Sequence, residues 1–141
     1  MDKFEITVLS TIDNNPQIID GLTEFLEGHD CPMRTLMQLS VAMDEMITNV
    51  ASYAYENSNL PEDKKTTRVE AVMIDGGIEI TIIDNGVMYN PLEHEDPDIT
   101  LSAEERGIGG LGIFMVKKSM DKVEYSYENS QNHFKMTKMF A

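Results

Sequence analysis

The chain has 141 residues, enough to bury one sizeable core without disulfides or a structural metal, so we expect a single domain over residues 1–141. It carries 11 Lys and Arg against 25 Asp and Glu, and the formal charge of −14 repels nucleic acids and anionic membranes. Cys31 is the single cysteine, which excludes an intramolecular disulfide and a cysteine-based metal site. No apolar run reaches the length of a membrane span, so we expect a soluble, cytoplasmic protein that is not exported.

The first half of the chain reads as one strand followed by two helices. Alternating apolar residues over 3–10 predict the strand, and helical spacing predicts a helix over about 16–27, with Asn15 as N-cap and Gly28 as C-cap. A longer helix is predicted from Asp30 to about Glu56. Core positions are expected for the methionines at 37, 43, 46, 115, 120, 136 and 139.

The second half reads as two hairpins around one helix. The β-branched runs 69–74 and 78–83 flank Asp75-Gly76-Gly77, which predicts two antiparallel strands. From 87 to 106 the hydrophobic pattern gives way to acidic residues, which indicates a functional or mobile segment that we interpret as a lid.

Helical spacing returns over about 110–121, and 122–128 and 133–140 predict a last hairpin around residues 129–132. Two helices precede a run of hairpin strands, and this order does not suit alternating βαβ units. It predicts an α+β fold, a two-layer sandwich with the helices on one face of a mixed, mainly antiparallel sheet.

Glu45 and Asn49 lie four residues apart in the second helix, so their side chains share one face. A solvated polar face is the plain alternative. A carboxamide oxygen suits Mg²⁺, which prefers few protein ligands. A carboxylate one turn away can take a proton from a hydroxyl or water that attacks a phosphate. The pair therefore indicates phosphate chemistry.

Asp84-Asn85-Gly86 ends the most apolar strand. Asn-Gly is the preferred dipeptide of a type I′ hairpin turn, but no strand returns after it. Gly86 would then allow a group to approach the backbone beside the carboxylate. A buried Asp84 needs hydrogen-bond donors, and an exocyclic amine is one.

Gly107 to Gly112 matches G-x-G-x-x-G and leads into the third helix. A dinucleotide-binding fold is one alternative, but its fingerprint directly follows a strand, whereas an acidic loop precedes these glycines. A flexible hinge is the other alternative. Glycines before a helix leave backbone N–H groups free to face an anion at the positive end of the helix.

In chain order, Glu45-x-x-x-Asn49, Asp84-x-Gly86 and Gly107-x-Gly109-Gly110-Leu111-Gly112 resemble the N, G1 and G2 boxes of the Bergerat-fold (GHKL) ATPases. The short length and the phrases around these boxes are most similar to the bacterial anti-sigma factor serine/threonine protein kinases. The similarity covers nearly the whole chain. The sequence departs from the family pattern at Met88, near Tyr53 and in an extra glycine.

This resemblance implies ATP and Mg²⁺ as ligands, with Glu45 as general base, Asn49 as Mg²⁺ ligand, Asp84 as acceptor of the adenine amine and Gly86 as the close-approach glycine. The implied phosphate contacts are Arg106, Gly107, Ile108, Gly109, Gly110, Leu111 and Gly112. The implied substrate is a small STAS-type anti-anti-sigma protein, and the resemblance leaves open sigma-factor sequestration and a homodimer. The alternatives are a nucleotide-gated binding module without catalysis and a bare ATP hydrolase.

Overall fold

A computed structural model of the protein describes residues 2–93 and 111–141. This part of the chain forms, in order, β1 (Lys3–Leu9), α1 (Asn15–Glu27), α2 (Met33–Asn49), β2 (Thr66–Ile74), β3 (Gly77–Asp84), α3 (Leu111–Ser119), β4 (Lys122–Glu128) and β5 (Gln131–Met139). Short 3₁₀ turns precede α1 and β2 and follow β3. Among these residues no helix is long and apolar enough to cross a membrane.

The five strands form one sheet in the order β1-β2-β3-β5-β4. Each neighbouring pair is antiparallel, so within the described residues the sheet has no parallel pair, where we expected a mixed sheet. The predicted hairpin of β2 and β3 is confirmed, and Gly76 takes the left-handed conformation that its turn requires (φ 79°).

The turn between β4 and β5 is shorter than predicted. Asn129 and Ser130 alone form it, with φ values of 53° and 61°, and such two-residue turns match the twist of the flanking strands. Gln131 and Asn132, which we expected in the turn, belong to β5. Asn132 thereby becomes a strand residue with a defined side-chain direction.

Alternation along the strands separates an apolar face of the sheet from a charged one. Ile78, Ile80 and Ile82 of β3 are almost fully buried and share one core with the inner faces of the three helices. The opposite face carries ion pairs within and between strands. Arg68 lies 2.7 Å from Glu5 and from Glu70, and Lys135 lies 3.6 Å from Glu79 and 3.5 Å from Glu124. The helices therefore cover one face, which confirms the predicted α+β sandwich.

Two details of the helices differ from the sequence prediction. Asn15 is the first residue of α1 rather than its N-cap, and its side-chain amide donates to Thr48 Oγ1 at 3.2 Å, which joins α1 to α2. Gly28 follows α1 as the expected C-cap. Met37 and Met115 are 62 % and 55 % exposed, so their predicted core positions are wrong, because each lies on the outward side of its helix.

Candidate functional site

A cavity of about 810 Å³ lies beside α2, at the ends of β3 and β5 and the beginning of α3. Its walls are mostly apolar. The lining residues of α2 and the turn after it are Glu45, Met46, Asn49, Val50, Tyr53 and Ala54. The others are Ile82, Asp84, Val87, Met88, Tyr89, Pro91, Gly112, Ile113, Tyr125, Asn132 and Phe134. Glu45, Asn49, Asp84 and Gly112, four of the residues singled out in the sequence, thus meet in one cavity.

Glu45 and Asn49 enter this cavity from α2. The helix buries Met43, Met46 and Ile47 in the core, and this fixes the direction of the two polar side chains one turn apart. Both are half-buried, and neither side chain has a hydrogen-bond partner among the described residues. Within the described part of the chain, this carboxylate and this carboxamide are therefore available to a ligand.

The carboxylate of Glu45 also lies against Gly112, the second residue of α3. A β-carbon added at Gly112 would overlap the carboxylate group. The glycine thus lets the beginning of α3 approach α2 closely. Since the first N–H groups of a helix lack partners within the helix and carry partial positive charge, this end of the cavity suits an anion.

Asp84 ends β3 and is buried, with 7 % of its surface exposed. Its Oδ1 accepts two hydrogen bonds, from the backbone N–H of Gly86 at 2.8 Å and from Asn132 Nδ2 at 3.0 Å. Burial raises the pKa of the Asp84 carboxyl, while these two donors and the nearby His133 oppose the rise. The second oxygen, Oδ2, accepts no bond from the described residues and is left for a donor in the cavity.

The amide of Asn132 organises this wall of the cavity. Its Nδ2 also donates to the carbonyl of Val87 at 2.8 Å, and its Oδ1 accepts from the backbone N–H of Tyr89 at 3.0 Å and from the Tyr125 hydroxyl. We missed this residue because we placed it in the turn. With a two-residue turn, the alternation of β5 puts Asn132 on the core face, where a buried asparagine is unusual enough to signal a site.

The Asp84-Asn85-Gly86 segment is not a hairpin turn, since β3 is followed in the sheet by β5. What approaches Gly86 is protein backbone. A β-carbon there would overlap the carbonyl of Ala54, and the next N–H, of Val87, donates to that carbonyl at 3.2 Å. The close approach expected for Gly86 is therefore a contact with the end of the second helix.

The second helix changes form before it ends. We expected it to run to about Glu56, but α2 stops at Asn49 and continues as a π-helical turn over Val50–Ala54. Such turns occur mostly as single insertions and are frequent at functional sites. Here the π turn carries the Ala54 carbonyl to Val87.

Tyr55, directly after the π turn, is a second residue that we missed. Its hydroxyl donates to the carbonyl of Thr66 and accepts the backbone N–H of Asn85 at 2.8 Å. Burial is the main cause of a raised Tyr55 pKa, which keeps the hydroxyl neutral at physiological pH. The residue joins the second helix to β2 and to the segment after Asp84, a contact that sequence spacing does not reveal.

One known protein family matches most of the chain. The histidine kinase-like ATPase domain family matches residues 8–138. The chain belongs to this family. Nucleotide is the class of ligand that this family implies.

The relatives of this histidine kinase-like ATPase domain include regulators and kinases. It is 25 % identical over 138 residues to an anti-sigma F factor of Clostridium perfringens, covering 97 % of this chain and 96 % of the relative. It is 31 % identical over 94 residues to the serine-protein kinase RsbW of Listeria monocytogenes. That match covers 64 % of this chain and 57 % of the kinase, so it spans less than two thirds of the kinase.

Two solved structures share the fold of this histidine kinase-like ATPase domain. One contains the RsbU and RsbW domains of a Mycobacterium tuberculosis protein, with a TM-score of 0.69 and 16 % identity over 99 % of this chain. The chain spans 32 % of that longer protein. The other is a SiaB–SiaC complex from Pseudomonas aeruginosa, with a TM-score of 0.70, 13 % identity and coverage of 95 % and 88 %. At these identities the likeness confirms the fold.

Part of the predicted phosphate-binding segment of this histidine kinase-like ATPase domain lies outside the described residues. This holds for Arg106, Gly107, Ile108, Gly109 and Gly110, and of Leu111 only the backbone, which begins α3, is described. The predicted lid is described as far as Glu93, where Pro91 is buried. Over residues 2–93 and 111–141, no three His, Cys, Asp or Glu side chains cluster to hold a metal. The carboxamide of Asn49, which has no partner in the described ranges, nonetheless fits Mg²⁺, which usually takes few protein ligands besides phosphate oxygens and water.

Proposed function

We propose that the chain is an ATP-dependent serine/threonine protein kinase that phosphorylates a small STAS-type partner protein. One observation carries the proposal. The side chains of Glu45 and Asn49, which have no hydrogen-bond partner among the described residues, share a cavity with Asp84, and Glu45 lies against the beginning of α3. The names of the relatives, an anti-sigma F factor and a serine-protein kinase, support the same activity.

The adenine would bind at the sheet end of the cavity. Asp84 Oδ2 would accept the exocyclic amine, and the apolar side chains of Ile82 and Phe134 would contact the base. The phosphates would extend towards Gly112, at the positive end of α3, and towards the predicted contacts at 106–111. The lid predicted over 87–106 would close over them.

Transfer would proceed as an in-line displacement. The acceptor hydroxyl oxygen forms a bond to the γ-phosphorus while the bond to the leaving ADP oxygen breaks, and Glu45 takes the hydroxyl proton. Mg²⁺, when bound with nucleotide, supplies positive charge to the phosphate oxygens. Asn49 would hold it through its carboxamide oxygen, and α2 keeps this ligand and the base one turn apart.

The test uses a partner recovered by co-purification, with ATP affinity and phosphate transfer measured for each variant. Glu45→Gln keeps the shape of the side chain but cannot accept a proton, so transfer should fall about 100-fold or more while Mg-ATP still binds. Asn49→Ala should weaken the Mg²⁺-dependent part of ATP binding as well as the rate. Asp44→Asn is the matched control, because Asp44 is the exposed neighbour of Glu45 on the same helix and its replacement should change neither quantity.

The alternatives give different results in the same assay. If the wild type binds ATP and partner but yields no phosphopeptide by mass spectrometry, the chain is a nucleotide-gated binding module. Phosphate release without a partner would indicate an ATP hydrolase. The anti-sigma name of a relative also supports sequestration of a sigma factor, and co-purification would detect a bound sigma factor directly.

A further inference from the structure

We infer that Asn132 is a positioning residue that sets the base selectivity of the site by holding Asp84 with one acceptor oxygen towards the cavity. The inference rests on the nucleotide-binding part of the proposed function. Asn132 is directly opposite Asp84 in the ladder between β3 and β5, and both side chains lie on the helix-covered face of the sheet.

The Asn132 amide uses its full hydrogen-bonding capacity. Its two N–H groups donate to Asp84 Oδ1 and to the carbonyl of Val87, at 3.0 and 2.8 Å. Its oxygen accepts from the backbone N–H of Tyr89 and from the Tyr125 hydroxyl. Two donors and two acceptor positions are all that a carboxamide offers.

These partners also fix the orientation of the amide. After a 180° rotation, its oxygen would face the Asp84 carboxylate and the Val87 carbonyl, and its NH₂ group would face the N–H of Tyr89. Each of these three contacts would then place an acceptor against an acceptor or a donor against a donor. Each unsatisfied buried group costs about 1–3 kcal/mol. Asn132 is therefore held with its NH₂ group towards Asp84.

As a consequence, the two oxygens of Asp84 have different hydrogen-bond partners. Oδ1 is occupied by Gly86 and Asn132, and Oδ2 is left to the ligand. An ionised carboxylate only accepts, so Oδ2 favours a base with an exocyclic amine and disfavours one with a carbonyl at that position. Adenine has the amine, whereas hypoxanthine has a carbonyl in its place.

Selectivity of this kind requires an ionised Asp84. The titratable groups around it are His133 on the next residue of β5, the hydroxyls of Tyr55 and Tyr125, and Glu45 across the cavity. Burial raises the pKa of Asp84, and the Asn132 amide is the foremost opposing influence. Without that donor the pKa rises further, and a protonated Asp84 donates to a carbonyl instead of accepting from an amine.

The experiment measures the affinities of wild type, Asn132→Leu and Asn132→Asp for ATP and for inosine triphosphate between about pH 5 and 9. Leu has the branched shape of Asn and the same number of side-chain heavy atoms, but no polar atoms. The Asn132→Asp variant keeps an acceptor for Tyr89 and Tyr125 but places a second carboxyl group against Asp84. Thr137→Val, a polar-to-apolar change on the outer face of β5, is the control, and melting temperatures verify folding.

In both Asn132 variants, the preference for ATP over inosine triphosphate should fall about 10-fold or more, because a site that loses its oriented acceptor loses discrimination. The loss of ATP affinity on acidification should begin at a higher pH than in the wild type. Thr137→Val should match the wild type in both measurements.

If a folded variant of either kind keeps the wild-type preference and pH profile, the inference is wrong while the proposed function stands. An equal loss of affinity for both nucleotides, with an unchanged pH profile, would also overturn it, because Asn132 would then be merely structural. A wild type without ATP affinity would overturn the proposed function and this inference together.

Discussion

The carboxylate of Glu45 and the backbone of Gly112 are in direct contact, so the side chain proposed as catalytic base is positioned by a residue without a side chain. This contact joins α2 to the beginning of α3. Glycine is therefore required at residue 112 to leave room for the Glu45 carboxylate, and not for the packing of the core.

Gly112→Ala should therefore impair phosphate transfer more than it impairs folding. The added methyl group would displace the end of the Glu45 side chain, which is free to move, so the melting temperature should change little. A displacement of about 1 Å in a catalytic group can cost about 100-fold in rate. The measurement is the transfer rate to partner, with Gly28→Ala as control, since a β-carbon there meets its nearest neighbours at 3.5 Å. Equal rates for the two variants would contradict the role of the contact.

Asp84→Asn should reduce ATP affinity about 10- to 100-fold, the usual range for a lost hydrogen bond to a charged group. The oxygen of the new amide would stay with Gly86 and Asn132, which are both donors, so its NH₂ group would replace Oδ2 in the cavity. A donor there opposes the adenine amine but suits a carbonyl, and affinity for inosine triphosphate should fall less or rise. Titration calorimetry with both nucleotides measures this, and unchanged ATP affinity would rule out Asp84 as the acceptor.

The same substitution should stabilise the protein at neutral pH. Burial raises the pKa of Asp84 above its ordinary value of 3.8. The stability that goes with a raised carboxyl pKa is present below the unfolded value and is lost as pH rises through the folded value. Ionised Asp84 thus costs stability at pH 7, and a neutral Asn does not. The melting temperature of Asp84→Asn should exceed that of the wild type at pH 7, by an amount that shrinks towards about pH 4. A less stable variant at pH 7 would contradict the raised pKa.

Tyr55→Phe should lower the free energy of unfolding by about 1–3 kcal/mol, because the Asn85 N–H and the Thr66 carbonyl lose their shared partner. ATP affinity should fall with it, since Asn85 directly follows Asp84. Urea denaturation gives the stability. Tyr127→Phe is the control, because Tyr127 is 38 % exposed on β4 and its hydroxyl has no partner among the described residues. Indistinguishable midpoints for the two variants would count against Tyr55 as a tie between helix and sheet.

Local patterns were sufficient to predict most of the fold. Alternation gives the strands, glycine at 76 gives one hairpin, and helical spacing stacks Glu45 on Asn49 whatever the rest of the molecule does. The placement of Asp84 at a strand end follows in the same way, since the β-branched pattern over 78–83 stops at the Asp-Asn-Gly segment.

What could not be predicted depends on contacts between distant segments. The role of Asn132 follows from a turn that is two residues long instead of four, and a sequence with four consecutive polar residues does not fix that length. The π turn contacts Gly86 and the Tyr55 hydroxyl accepts from Asn85, and both partners lie some thirty residues further along the chain. The exposure of Met37 shows that apolarity alone does not assign a residue to the core.

The polar wall of the cavity, formed by Asp84 and Asn132, is held more rigidly than its apolar rim. Asp84 and Asn132 come from β3 and β5, strands with a hydrogen-bonded neighbour on each side, and their side chains are already paired. Tyr53, Val87 and Met88 are each more than half exposed at the rim. The polar contacts that we propose for a base are therefore in place before it binds. The entropy lost on binding would fall mainly on the apolar rim, and burial of that rim would offset the loss.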